Sequence, residues 1–565
     1  MGTSEVGLEA GVEEEERDDF VDGAVDYRGG SAIRSKSGSW RSASLIIGVE
    51  VAERIAYYGI LGNLISYLTG PLHQTTATAA ENVNIWSGTS FLLPLLGAFL
   101  ADSFLGRYRT IILASFIYIL VGLVEGIFHY SCIHYYYPRI SLILGGFKYL
   151  KLHYVCKVDI SPVFRLLEQI NSMNNIQRST EIEAHSLIGG IFSMFAGCMA
   201  TLWILNYIQD NLSWVLGFGI PCVAMIIALV VFLLGTMTYR FNIQQQEKSP
   251  FLRIGRVFVA AIRNRRTTHS NTAVKAERDG LLPHKSSEQF EFLNKALLVP
   301  KDEDFIEEES CSPSEVEEAK AVLRLVPIWA TTLVYAVVFA QVPTFFTKQG
   351  VTLDRTILPG FDIPAASLQS LENVAVVLFS PIYDRLFVPM ARGITGKRSG
   401  ISMLQRIGTG IFISIVTVVF AAVIETKRLK TAQESGVVDE PNATVPMSIW
   451  WLIPQYMLFG VSEVFTMVGL QEFFYDQVPN ELRSMGLALY LSIFGVGNFI
   501  SSFLISVIEK ATGKDGQDSW FANNLNKAHL DYFYWLLAGL SVVGMALFTC
   551  SAKSYIYNDK GVRRQ

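Results

Sequence analysis

The chain has 565 residues, half of them hydrophobic and 17% charged, with a net charge of −5 and a mean hydropathy of +0.33. That is rich in apolar residues for a soluble protein, and they gather in runs of about twenty, the length of a membrane-spanning helix. The basic residues lie in short segments between the runs, which leaves nucleic-acid binding without support. No nucleophile motif, phosphate loop or metal cluster points to an enzyme. The six cysteines, at 132, 156, 198, 222, 311 and 550, show no C-x-x-C spacing, so they suggest neither a disulfide frame nor a metal site.

The first 40 residues form an acidic arm, with E-E-E-E at 13–16 followed by Asp18 and Asp19, and read as disordered and solvated. The first apolar run, Ala43–Gly70, contains V-E-V-A-E-R-I-A-Y-Y-G at 49–59. A charge at the centre of a spanning helix costs roughly 2.5–3.5 kcal/mol, yet Glu50, Glu53 and Arg54 all lie there. Their i, i+3, i+4 spacing sets them on one helical face, and the next turn brings Tyr57 and Tyr58. Intramembrane charges face a bundle interior or a watery cavity. One Arg cannot neutralise two carboxylates, so the surplus acid needs another cation, a substrate or a proton. That defines a proton-binding site tuned by whether Arg54 is paired with it. The bland alternative is a static buried ion pair.

The second run, Trp86–Leu105, ends in a loop carrying Asp102, Arg107 and Arg109. Thr110–Phe128, Ser186–Tyr207 and Trp214–Gly235 follow, with a short twelfth candidate near Ile140–Leu150. Pro250–Arg266 then alternates apolar and basic residues, the pattern of an amphipathic helix lying on the inner face of a membrane. The polar, acidic stretch through Glu318 reads as a linker. Six more runs are Ala321–Phe346, Ala366–Met390, Leu404–Ile424, Ile449–Phe474, Met485–Ile508 and Tyr532–Cys550. Pro381-Ile382-Tyr383-Asp384-Arg385 echoes the acid-then-Arg loop of the first half, so Asp102, Arg107, Asp384 and Arg385 are gating candidates, with simple anchoring at the membrane surface as the alternative. Glu463 and Glu372 are further acids inside apolar runs. Glu463 is a binding-site candidate on that ground, while Glu372 either faces the same cavity or marks a helix end. Lys and Arg content places both termini and the middle stretch in the cytosol, and the sequon at Asn442 outside or in a lumen.

The reading is an all-α membrane protein of about twelve spanning helices in two six-helix bundles. It divides into an arm (1–40), an N-terminal bundle (41–236), a linker with an amphipathic helix (237–318), a C-terminal bundle (319–552) and a tail (553–565). Two such bundles, with D-x-x-x-G-R-x-R at 102–109, resemble the major facilitator superfamily. Within it, E-x-x-E-R at 50–54 resembles the proton-dependent oligopeptide transporter family and its plant nitrate/peptide branch. So do W-S-G-T at 86–89, F-F-T-K-Q-G-V-T-L-D-R at 345–355, W-W-L-I-P-Q-Y at 450–456, Q-E-F-F-Y-D-Q-V-P at 471–479 and H-L-D-Y-F-Y-W-L-L at 529–537.

The resemblance implies alternating access about a midplane site and symport of a small anion such as nitrate, or of peptide-like solutes. Protons would be the coupling ion, with no other cofactor. It assigns proton coupling to Glu50, Glu53 and Arg54, and substrate contact to Gln341 and Glu463, which Tyr57 and Tyr58 join as candidates from their place on the charged face. Family members that bind nitrate through a His carry it where Phe339 stands here, which weakens nitrate by that route. The family's fourth helix ends in Gly-Gly-x-Lys-Pro. Gly145-Gly146-Phe147-Lys148 has that spacing, but Tyr149 replaces Pro. Lys148 is therefore either a working cavity lysine or a chance match. The departure over about 125–195 leaves a second reading open, a non-transporting pseudo-transporter or interaction protein. The implied location is the vacuolar or the plasma membrane. Neither the substrate, the direction of transport nor the oligomeric state is legible.

Overall fold

The computed structural model describes residues 20–33, 37–100, 106, 108–120, 197–242, 250–266, 289–297, 311–396, 400–441, 443–479, 482–513 and 518–557. The acidic run at 13–16, Asp102, Arg107, the 125–195 segment with Lys148, and Asn442 lie outside the described residues, as do the side chains of Glu50 and Asp384.

The arm is not disordered throughout. Strands β1 (Phe20–Val25) and β2 (Ser31–Ile33) form an antiparallel hairpin, and β3 (Phe241–Asn242) pairs with the other edge of β1. Asp26 makes the turn, its carboxylate accepting from the N–H groups of Arg28 and Gly30. Arg240 donates to the main-chain oxygen of Ser37 at 2.6 Å, and the Ser42 hydroxyl donates to Thr238 O at 2.7 Å. These bonds tie the hairpin to the exit of the first half.

Helix α1 (Ser39–Leu61) breaks at Gly62, and the chain resumes as α2 (Leu64–Thr69). The break falls where packing leaves no room for a side chain. A Cβ on Gly62 would lie 2.9 Å from Leu202 and 3.1 Å from Asn206. The first apolar run is therefore two helices. Helix α3 spans Thr76–Leu100, starting ten residues before the apolar run, and α4 spans Tyr108–Leu120. Helix α5 covers 197–211 and α6 covers Trp214–Leu234, the latter packed along α1. The amphipathic segment forms α7 (Pro250–Arg263).

In the second half, α8 (Pro313–Phe339) begins inside the stretch read as linker. Ser312 accepts from Glu315 N while the Glu315 carboxylate accepts from Ser312 N, and Pro313 occupies the first turn. This capping box starts a helix whatever the polarity of the residues before it. The helix continues through a π turn, Val342–Phe346, to Val351. Helix α9 (Ser370–Ile382) follows, then α10 (Met403–Glu434), which outruns its apolar run at Ile424. Helices α11 (Ile453–Asp476), α12 (Arg483–Thr512) and α13 (Leu530–Ser554) complete the bundle. Among the described residues, seven helices are long and apolar enough to cross a membrane.

The halves meet most extensively where α3 crosses α12. There Gly88 and Gly495 face each other. A Cβ on Gly88 would sit 2.8 Å from Gly495 O, so the two backbones touch directly. Within the second half, α10 packs on α11 and α13, and α9 packs on α11.

Candidate functional site

On α1 the Arg54 guanidinium lies 3.6 Å from the Glu53 carboxylate, and Arg54 is buried. The Glu53–Arg54 part of the expected charged face is thus one ion pair. One turn on, the Tyr57 ring stacks on Trp86 of α3 at 5.5 Å, and Tyr58 meets Tyr57 edge to face. Tyr57 therefore packs the α1–α3 joint, while Tyr58 lies within electrostatic reach of both Arg54 and Glu372 of α9.

Glu372 and Glu463 are brought together by a glycine. A Cβ on Gly460 of α11 would collide with Glu372 O and with Ala375. Only Gly lets α9 approach α11 this closely, and Glu463 lies one turn further along α11. The two carboxyl groups are in hydrogen-bonding contact. Among the described residues, no Lys, Arg or His pairs with either of them. Two ionised carboxylates in contact repel strongly in a low-dielectric interior. A proton, or a cationic group of a solute, placed between them removes that repulsion.

Aromatic rings border this pair. Tyr335 of α8 stands beside Glu463 and stacks on Phe459 at 6.0 Å, and Tyr490 of α12 packs edge-on against Phe494. Tyr490 is within electrostatic reach of both Glu463 and Arg54. An acid–Arg pair from the first half and an acid–acid pair from the second therefore share one neighbourhood, with tyrosines between them.

Gln341 is bonded within α8 and to α12. It is fully buried, and its amide donates to Val337 O at 2.7 Å and to Ser501 at 3.0 Å. Asn84 of α3 donates to the same Ser501 hydroxyl at 3.0 Å, so Gln341 belongs to a polar joint between the halves. Arg385 is exposed in a π turn, Tyr383–Phe387, at the end of α9.

Sequence reading missed the bonds that join the halves at the end remote from the chain termini. Gln369 donates to Gly62 O at 2.8 Å, and Trp203 Nε1 donates to the Ser370 hydroxyl at 2.9 Å. The Ser367 hydroxyl donates to Leu202 O at 3.1 Å, and Lys348 Nζ lies 3.2 Å from Thr69 Oγ1. The Thr76 N–H donates to Asn523 Oδ1 at 3.0 Å. That end is shut. A second missed cluster lies inside the second half. Arg428 and Glu425, both fully buried on α10, pair at 2.6 Å, and Gln349, Asn526 and Leu525 O complete the network. Gln369, Trp203 and Lys348 are polar residues in or beside apolar runs, and that was the available signal.

The profile of the POT family matches residues 190–521. The Arabidopsis thaliana protein NRT1/PTR family 5.10 is 58% identical over 94% of this chain and 96% of its own length. NRT1/PTR family 5.13 from the same plant is 52% identical over 96% and 97%. Among solved structures, an auto-inhibited POT family peptide transporter superposes with a TM-score of 0.69 at 21% identity, covering 92% of this chain and 98% of that one.

Proposed function

The chain belongs to the POT family, with the major facilitator fold of a multi-pass integral membrane transporter, and from that premise we propose that it is a proton-coupled symporter of a small solute. The observation that carries this is that the pairs Glu53–Arg54 and Glu372–Glu463 share tyrosine neighbours, Tyr58 being within electrostatic reach of Arg54 and Glu372, and Tyr490 of Arg54 and Glu463. Each pair, one acid–Arg and one acid–acid, presents a place where a proton or a solute charge changes the balance, and the two pairs sit on opposite halves. A change at one is felt by the other through Arg54. Closing one end of the carrier while the other opens then moves proton and solute together.

Two carboxyl groups beside tyrosines, with no basic side chain paired to either among the described residues, favour a solute carrying an amino or other cationic group, as a peptide-like zwitterion does. A bare anion such as nitrate would need a cation from outside this pair, and among the described residues Arg54 is in this neighbourhood. The proposed setting is the vacuolar or plasma membrane with both termini in the cytosol. The second reading, a membrane protein that does not transport, rests on the departure of 125–195 from the family pattern.

Uptake of nitrate and of dipeptides at acid and at neutral external pH tests this, in cells with surface delivery verified. Acid-stimulated uptake that is lost in Glu53→Gln and in Glu463→Gln supports symport. No uptake of any solute by protein at the surface supports the second reading.

A further inference from the structure

Helix α7 has two apolar faces. Ile254, Val257 and Ala261 point inward, packed with Leu293 and Ala296 of the 3-10 turn Glu291–Leu297 and with Val316, Ala319 and Val322 of α8. Leu252, Val259 and Ile262 point outward and are 56%, 66% and 71% exposed, with Phe292 of the neighbouring turn at 53%. At 100° per residue the three outward side chains fall within about 80° of arc, and Arg263 and Arg256 border the stripe on one side, about 20° and 40° beyond Leu252. Arg265 follows at the helix end. The helix is clamped in place. Arg253 lies 3.3 Å from Glu318 on α8, Asn264 donates to Lys295 O at 2.9 Å, and Lys295 Nζ donates to Arg265 O at 2.7 Å.

The neighbours on α8 show which side of the bundle α7 occupies. Ala319, Val322 and Val326 share one face of α8 through i+4 and i+7 spacing. Ala319 and Val322 are buried in the cluster that includes α7, while Val326, one turn further into the apolar stretch, is 40% exposed. So α7 covers the start of the outward, lipid-facing stripe of a spanning helix. It sits on the perimeter of the bundle at the membrane edge. A contiguous exposed apolar stripe rimmed by arginines at that level matches an acyl–headgroup boundary.

We infer that the outward face of α7 is a docking surface for anionic phospholipid, with Leu252, Val259 and Ile262 entering the acyl boundary and Arg256, Arg263 and Arg265 taking the headgroup phosphates and carboxylates. Because α7 is clamped to α8, membrane charge acts on the second half of the carrier. Each arginine contributes roughly fivefold to the preference for an anionic leaflet, and that part is screened by salt.

The test is hydrogen–deuterium exchange on the full chain in nanodiscs of phosphatidylcholine alone and of phosphatidylcholine with phosphatidylserine. Residues 250–266 exchange more slowly in the anionic discs, and the difference shrinks in high salt. The triple variant Arg256→Gln, Arg263→Gln, Arg265→Gln loses the difference, while Val259→Ser with Ile262→Ser loses protection in both lipids. Melting temperatures of the variants report whether the fold is retained. Equal exchange in the two lipids overturns the inference. So does a difference that survives in the triple variant.

Discussion

Removing the side chains that close the end remote from the termini shifts the carrier toward its opposite conformation. The combined variant Gln369→Leu, Ser367→Ala, Trp203→Phe deletes three hydrogen bonds between the halves, of 2.8, 3.1 and 2.9 Å. Each such bond contributes about 1 kcal/mol net. Treated as additive, the loss is about 3 kcal/mol, borne only by the state in which that end is shut. The ratio of the two states then changes roughly a hundredfold. The Lys348–Thr69 and Thr76–Asn523 contacts remain, so the end still has a closed form. The assay is a spin–spin distance measurement between labels at Pro71 and Asp354, both exposed and on different halves. The wild type gives a short distance, and the variant gains a long component. An unchanged single distance in the variant refutes the view that these bonds hold the end closed.

Arg428→Met strands the Glu425 carboxylate in a fully buried site and destabilises the protein by about 3–5 kcal/mol. Adding Glu425→Gln recovers most of that loss, read by thermal unfolding in detergent. Gly88→Ala forces a Cβ to 2.8 Å from Gly495 O and costs about 1–3 kcal/mol. Solute flux falls more than binding affinity does, because the moving contact is the one obstructed. Lys527 Nζ lies 2.8 Å from Asp439, and this hydrogen bond and charge hold the Asp439 carboxyl below its usual range and the Lys527 amine above its own. The Asp439 contribution is fully present above about pH 4 and is lost as pH falls through the depressed value. The Lys527 contribution is present below about pH 10 and is lost above the raised value. Both groups are solvated, so the wild type and Asp439→Asn melt almost alike at neutral pH and become indistinguishable in high salt or strong acid.

Apolar runs located most of the spanning helices, because a bilayer demands length and composition that few other settings do. Their ends were another matter. The Ser312–Glu315 capping box starts α8 inside the stretch read as linker, and α10 runs ten residues past Ile424 because Glu425 and Arg428 satisfy each other within the bundle. A hydropathy run stops at the first charge, while a helix stops where its backbone loses partners. At the site, Glu53, Arg54, Tyr58 and Glu463 were legible as polar groups out of place. Glu372 was seen but not assigned, since its role depends on Gly460 of a different helix. Gln341 was expected at the pocket; its bond to Ser501 was not legible, because nothing in a linear pattern names a partner 160 residues away. The β1–β2 hairpin was hidden for the same reason, its partner β3 lying more than 200 residues away.

That hairpin bears on how the protein is made. Strand β1 pairs Ala24 with Asn242 and Val25 with Phe241, and Gly38 N–H donates to Thr238 O at 2.8 Å. Every one of these partners precedes α7. During synthesis the first half can fasten its own two ends as soon as residue 242 has left the ribosome, before any of the second half exists. The two ends of the first half are then fastened together before α8 is made.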